Sequence, residues 1–173
     1  NTMKLSSRRL TLRPVQENDV LSVHLYASDE ETTKYMLWGP NTYSDTIKYI
    51  ENSLELNEAH PRSVYRYAIT LKPTGDLIGM IDLILRSNHV GELGYILNKS
   101  YWGQGYTTEA CHIMLKLAFN DLGLDKVIAT CDVSNIGSYK VMEKLGMHRV
   151  GKYARYNPKY DVEMEGYLYE LDK

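Results

Sequence analysis

Phenylalanine is nearly missing from this chain of 173 residues, with one copy against 15 tyrosines. Cysteine is also scarce. The only two, Cys111 and Cys131, stand too far apart for a metal-ligand pair and too few for a disulfide framework, so they read as buried free thiols of a reducing cytoplasm. The five histidines are scattered, and no pair has the i, i+4 spacing of a helical zinc site, so no metal is predicted. Long apolar runs are absent. Stretches such as Leu83-Ile84-Leu85 fall far short of the roughly 20 residues a membrane helix needs. Excess positive charge is absent too: 20 Lys and Arg against 22 Asp and Glu leave −2, which argues against a direct nucleic-acid binder. Met3 to Arg9 lacks the apolar segment of a secretory signal. Asn1-Thr2 precede a plausible initiator and are expected to be the remains of an expression tag. That leaves residues 3–173 as one domain, with no repeat or low-complexity linker to divide it.

The remaining residues alternate between two periodicities. Arg9-Leu10-Thr11-Leu12-Arg13 has period two and stops at Pro14, which predicts a strand. Glu17-Asn18-Asp19 opens a helix expected to carry Val20, Leu21, His24 and Leu25 on one side. Ser44 is the expected N-cap of a second helix with Ile47, Ile50 and Leu54 at helical spacing. Strands follow at Tyr65 to Leu71, Leu77 to Leu85 and Glu92 to Leu97, the first two joined by a turn at Lys72-Pro73-Thr74-Gly75-Asp76. A helix from Tyr106 to Leu122 then ends at Gly123, with Ala110, Met114, Leu117 and Ala118 inward. Lys126 to Asp132 is the next strand, so strand, helix and strand form a βαβ crossover and a local parallel pair. Ser134 or Asn135 caps a further helix with Val141, Met142 and Leu145 inward, and two strands near Met147 to Tyr153 and Glu163 to Leu171 complete the sheet. The predicted class is α+β: one mixed, mostly antiparallel sheet with helices on both faces.

Chemistry concentrates between Gly91 and Glu109. A strand runs into the loop Asn98 to Trp102, and Gly103-Gln104-Gly105-Tyr106-Thr107-Thr108 then opens the long helix. Two glycines in three residues let main-chain N–H groups turn toward one point, and a helix N-terminus adds unpaired donors and partial positive charge. That combination suits a pyrophosphate. The third glycine of a dinucleotide fingerprint and the Gly-Lys-Ser/Thr of a P-loop are both missing.

Trp102-Gly103-Gln104-Gly105-Tyr106-Thr107-Thr108-Glu109-Ala110 resembles the coenzyme A loop of the GCN5-related N-acetyltransferase (GNAT) superfamily, in the branch of ribosomal-protein N-terminal acetyltransferase-like proteins. Ser100 stands where other branches carry Gln or Arg. Arg9 to Pro14, Glu92-Leu93-Gly94-Tyr95 and the run Asn135 to Met147 resemble the same branch, in the same order. The resemblance implies two splayed central strands with the pantetheine arm between them, and acetyl-CoA as cosubstrate. It assigns the pantetheine amides to Tyr95, Ile96 and Leu97. The pyrophosphate falls to the loop Trp102 to Thr108, and Asn135 faces the pantetheine or the thioester end.

The acceptor implied is a primary amine. Such an amine arrives protonated, with a pKa near ~8 for an α-amino group, and a base must remove a proton before attack on the thioester. Glu92, on the cofactor strand, is the candidate base, with Asp82 on the neighbouring strand as a further carboxylate. A tyrosine that many members use as acid aligns with Met142, which donates nothing; Ser138 aligns with the serine assigned this role in part of the branch, so the resemblance implies Ser138 as the candidate donor to the leaving thiolate. Trp38, Tyr35 and Tyr43, around Gly39-Pro40, are expected to line the acceptor site. A protein N-terminal amine is the first choice of acceptor. The other readings are a small amine (a polyamine, an amino sugar or an antibiotic) and a non-catalytic acyl-CoA sensor. Whether the chain acts alone or as a homodimer is open at this level.

Overall fold

A computed structural model describes residues 5–87 and 89–173; Asn1 and Thr2, the expected tag remnant, lie outside the described residues. The strands are β1 (Leu5–Ser6), β2 (Leu10–Arg13), β3 (Val64–Leu71), β4 (Leu77–Ser87), β5 (Val90–Leu97), β6 (Lys126–Asp132), β7 (His148–Asn157) and β8 (Val162–Asp172). The helices are α1 (Val20–Ala27), α2 (Glu30–Thr33), α3 (Tyr43–Glu58), α4 (Tyr106–Lys116) and α5 (Ile136–Lys144). The strands form one eight-stranded sheet in the order β1-β2-β3-β4-β5-β6-β8-β7. Every pairing is antiparallel except β5 with β6, the predicted crossover pair.

Alternation along the strands decides which residues meet which helices. Leu10, Ile69, Ile78, Ile81 and Leu83 are fully buried and pack with Ala110, Met114, Leu117 and Met142 of the α4–α5 side. Ala68 and Met80 face the other way and pack with Val23, Tyr26 and Ile50 of α1 and α3. Truncating one of these large core side chains to Ala should cost about 2–5 kcal/mol.

Local details depart from expectation in three places. The inward stripe of α1 is Val23, Tyr26 and Ala27, whereas Leu21 and Leu25 are 68% and 73% exposed. Val20 can head either i, i+3, i+4 series, and Tyr26 brings the larger apolar surface to the gap beneath α3. The N-cap of α3 is Thr42, not Ser44: Thr42 Oγ1 accepts from Asp45 N–H at 3.1 Å, and Asp45 accepts from Thr42 N–H at 2.9 Å, a reciprocal box that Ser44 has no acid to form. The helix beginning at Tyr106 is α-helical only to Lys116, and Leu117–Asp121 widens into a π-turn before Gly123, whose φ is +65°.

Candidate active site

Among the described residues, strands β5 and β6 pair only at Val90 with Lys126, Gly91 with Val127 and Glu92 with Ile128. Beyond Glu92, β5 continues beside β4 as far as Leu97, and β6 continues beside β8 as far as Asp132. The facing edges from Leu93 and Ala129 onward therefore have no ladder between them. A strand edge in this state presents free N–H and C=O groups to a bound amide chain.

The loop after β5 is closed by its own side chains. Asn98 Oδ1 accepts from Ser100 N–H at 2.9 Å, and Trp102 Nε1 donates to Leu97 O at 2.8 Å. Gly103 and Gly105 take φ of +75° and +82°, the left-handed region that disfavours any Cβ. Gly105 is the N-cap of α4, and its carbonyl accepts the first helical bond, from Glu109 N–H at 3.1 Å. The N–H groups of Tyr106, Thr107 and Thr108 precede that bond and have no partner inside the helix. Gln104 is exposed between the two glycines. A Cβ on Gly103 would meet nothing within 4 Å, and one on Gly105 only the Arg9 guanidinium, at 3.4 Å. The cradle is thus open on its outer side, as a site for a pyrophosphate must be.

Glu109, in the first turn of α4, ties that cradle to the N-terminal strands. It accepts from the Ser7 hydroxyl, from Arg9 N–H at 2.9 Å and from Arg9 Nε at 2.7 Å. Burial pushes its carboxyl up, but the Ser7 and Arg9 bonds outweigh burial and leave it below the ordinary range. The Arg9 guanidinium also lies 4.2 Å over the Tyr106 ring. The sequence carries no signal for this clamp, because its partners are about a hundred residues apart.

On the α3 side of the splayed edge lies a cavity of about 520 Å³. Its walls come from β5 (Gly94, Tyr95, Ile96), from Met36, Trp38 and Asn41, and from the α3 face Asp45, Lys48, Tyr49 and Asn52; Arg66, Met80 and Asp82 form the floor. Arg66 holds Asp82 with two bonds of 2.9 Å and donates to Ser53 Oγ at 3.0 Å. Among the expected acceptor residues, Trp38 lines this cavity. Tyr35 lies beside Lys34, and Tyr43 is half exposed with its ring edge-on to His24, both away from the lining.

Glu92 stands on the last rung before the splay, opposite Ile84, and pairs with Arg86 Nε at 2.8 Å. It shares the α3-facing side of β5 with Gly94 and lies just outside the cavity lining. Ser138, in the first turn of α5, is brought to Tyr95 instead: the two hydroxyls are 3.0 Å apart. Asn135 is the N-cap of α5, its Oδ1 accepting from Ser138 N–H at 3.2 Å. The structure therefore joins Asn135, Ser138 and Tyr95 into one cluster and leaves Glu92 in another. The hairpin of β7 and β8 also reaches α2, where Lys159 Nζ donates to Thr33 O at 2.8 Å.

The family model described as an acetyltransferase (GNAT) domain matches residues 9–148. The chain belongs to the GNAT family. GNAT proteins use acetyl-CoA, and this one is an acetyl-CoA-dependent N-acetyltransferase. It is similar to the uncharacterised N-acetyltransferase YnaD of Bacillus subtilis, 30% identical over 170 residues that span 98% of this chain and 96% of the relative. A solved GNAT acetyltransferase from Bacillus anthracis is 30% identical with a TM-score of 0.86, covering 98% of both chains. A ribosomal-protein-S5-alanine acetyltransferase from Vibrio fischeri shares the fold, with a TM-score of 0.79 at 19% identity over 99% of this chain and 97% of its own. No helix among the described residues is long and apolar enough to cross a membrane.

Proposed function

We propose that this GNAT enzyme acetylates the free amine at the N-terminus of a protein. The observation that carries this is the lining of the cavity beside the open edge of β5. Two acids, Asp45 and Asp82, are matched by two bases, Lys48 and Arg66. A polyamine or another polycation calls for a net acidic lining, which this cavity lacks. The aromatic surfaces of Trp38 and Tyr49, with the amides of Asn41 and Asn52 between them, suit the backbone and first side chain of a peptide.

The sequence-derived cofactor and catalytic residues have parts in this reading, and Tyr35 and Tyr43 have none. The N–H groups of Gly103, Gly105 and Tyr106 to Thr108, with Gln104 and Trp102 framing them, receive the pyrophosphate of acetyl-CoA. Tyr95 offers main-chain groups to the pantetheine, whereas those of Ile96 turn toward Met80 in the β4 ladder, so only its side chain is left to the arm. Leu97 offers its N–H side, since its carbonyl is taken by Trp102. Asn135 keeps its amide N–H₂ for the cosubstrate while its oxygen caps α5. Glu92 takes the proton of the incoming ammonium through water, so that the neutral amine attacks the thioester carbon. Main-chain N–H groups of the open edge stabilise the oxyanion, and Ser138 donates a hydrogen bond to the sulfur as the C–S bond breaks.

An acceptor screen monitored by thiol release tests the proposal. Peptides with free N-terminal amines should turn over, and spermidine and amino sugars should not. Turnover confined to the small amines would replace the protein acceptor, and tight acetyl-CoA binding without turnover of any amine would favour the sensor.

A further inference from the structure

Tyr95 lies on the stretch of β5 that has no ladder to β6, and its ring packs toward the α4–α5 side of the sheet. The phenolic oxygen ends 3.0 Å from Ser138 Oγ and 3.1 Å from Ser138 O. Ser138 O accepts from the phenol, and between the two hydroxyls either oxygen can be the donor. When the phenolic proton goes to Oγ, the serine keeps its own proton free for another acceptor. When the serine donates to the phenol instead, that proton is spent.

Burial holds the Tyr95 hydroxyl well above its ordinary range, so it remains a neutral donor. The neighbouring titratable groups are Cys111 on α4 and Cys131 on β6. Burial pushes Cys131 up to about 11 and Cys111 higher still, so both stay neutral thiols. The Ser138 side chain also acts on the Cys131 thiol, as do the charges of Arg155, Asp132 and Arg149. A serine is a much weaker acid than a thiol, whose pKa is about 8.5, so Ser138 helps the leaving sulfur by hydrogen bonding and not by full proton transfer. A hydroxyl that accepts one hydrogen bond donates a stronger one.

We propose that Tyr95 is a positioning residue, whose hydroxyl donates to Ser138 Oγ and thereby aims and strengthens the Ser138 O–H toward the sulfur of coenzyme A. The inference rests on the reading of Ser138 as the donor to that sulfur. No proton leaves Tyr95; the thiolate released after C–S cleavage takes its proton from solvent.

The test needs no acceptor. Calorimetry on the full chain compares coenzyme A with desulfo-coenzyme A, which lacks the sulfur, from about pH 7 to the pH where the free thiol is ionised, about 8.5 and above. A thiolate stabilised in the site has a lowered pKa, so the affinity ratio of coenzyme A to its desulfo analogue rises with pH, about tenfold for each unit of lowering. That rise should be present in the wild type and reduced in Ser138→Ala. Tyr95→Phe should reduce it as well, and adding Tyr95→Phe to Ser138→Ala should change nothing more. Unchanged affinity for the desulfo analogue identifies variants that are folded, and Tyr95→Met replaces Tyr95→Phe if the latter is not. A rise lost in Ser138→Ala but intact in Tyr95→Phe overturns the role of Tyr95 alone. A rise absent from the wild type, or intact in Ser138→Ala, overturns the sulfur-donor reading beneath it.

Discussion

Arg66 grips Asp82 through Nε and Nη2, both at 2.9 Å, across the β3–β4 register on the floor of the cavity beside β5. The same guanidinium stacks 4.8 Å over Tyr49. Burial works against the charge on Arg66, but Asp82 outweighs it and the pKa of the guanidinium is raised. The side chains are only 12% and 20% exposed, so neither charge is fully solvated if the other is removed.

Arg66→Met should therefore destabilise the protein by about 2–4 kcal/mol, because it strands a carboxylate under the cavity. Denaturant unfolding measures this. The double variant Arg66→Met, Asp82→Asn should recover part of the loss. A cost under about 0.5 kcal/mol would mean that water already serves Asp82.

Gly105→Val tests the cradle. The substitution forces a β-branched residue to a φ of +82°, at a stability cost of about 1–2 kcal/mol, while a Cβ meets only the tip of Arg9. Acetyl-CoA affinity should fall by more than about tenfold, since the branched side chain stands where the pyrophosphate is expected to approach. Equal affinity in a folded variant would move the phosphates elsewhere.

Glu92→Gln keeps shape and removes basicity. We expect kcat to fall by about 10²–10⁴-fold with acetyl-CoA affinity nearly intact, and the acid limb of the pH–rate profile to change. Full activity below neutral pH would pass the role to another group, and Asp82, which lines the cavity, is the next to test.

Glu109 couples stability to acid. Its folded pKa is depressed, so its contribution is complete above the unfolded value of about 4.3 and is lost as pH falls through the folded value. The wild type should lose stability over that acid range, and Glu109→Gln should be less stable at neutral pH with a flatter acid profile. Thermal melts from pH 7 downward measure both. A parallel acid loss in the variant would assign the effect to other carboxylates.

The sequence by itself determined what is local. Gly103 and Gly105 announce positive φ because no other residue enters that region at so little cost, and both adopt it. The βαβ unit around α4 follows from a switch of period, and the β5–β6 pair is parallel as that switch requires. The cap of α5 is narrowed to Ser134 or Asn135 by the sequence, and the structure takes Asn135, whose short side chain reaches a main-chain N–H three residues on. Only the tertiary structure decided the rest. Period alone admits two inward stripes for α1, and packing under α3 selects the one with Tyr26. Ser7 and Arg9 meet Glu109, Arg66 meets Asp82, and Tyr95 meets Ser138, across separations that carry no periodic signal. The cavity beside β5 is the extreme case. Its lining comes from the segment before α3, from α3 and from three strands, so its charge balance exists only once the sheet register has brought Asp82 beside Arg66 and α3 has laid Lys48 above them.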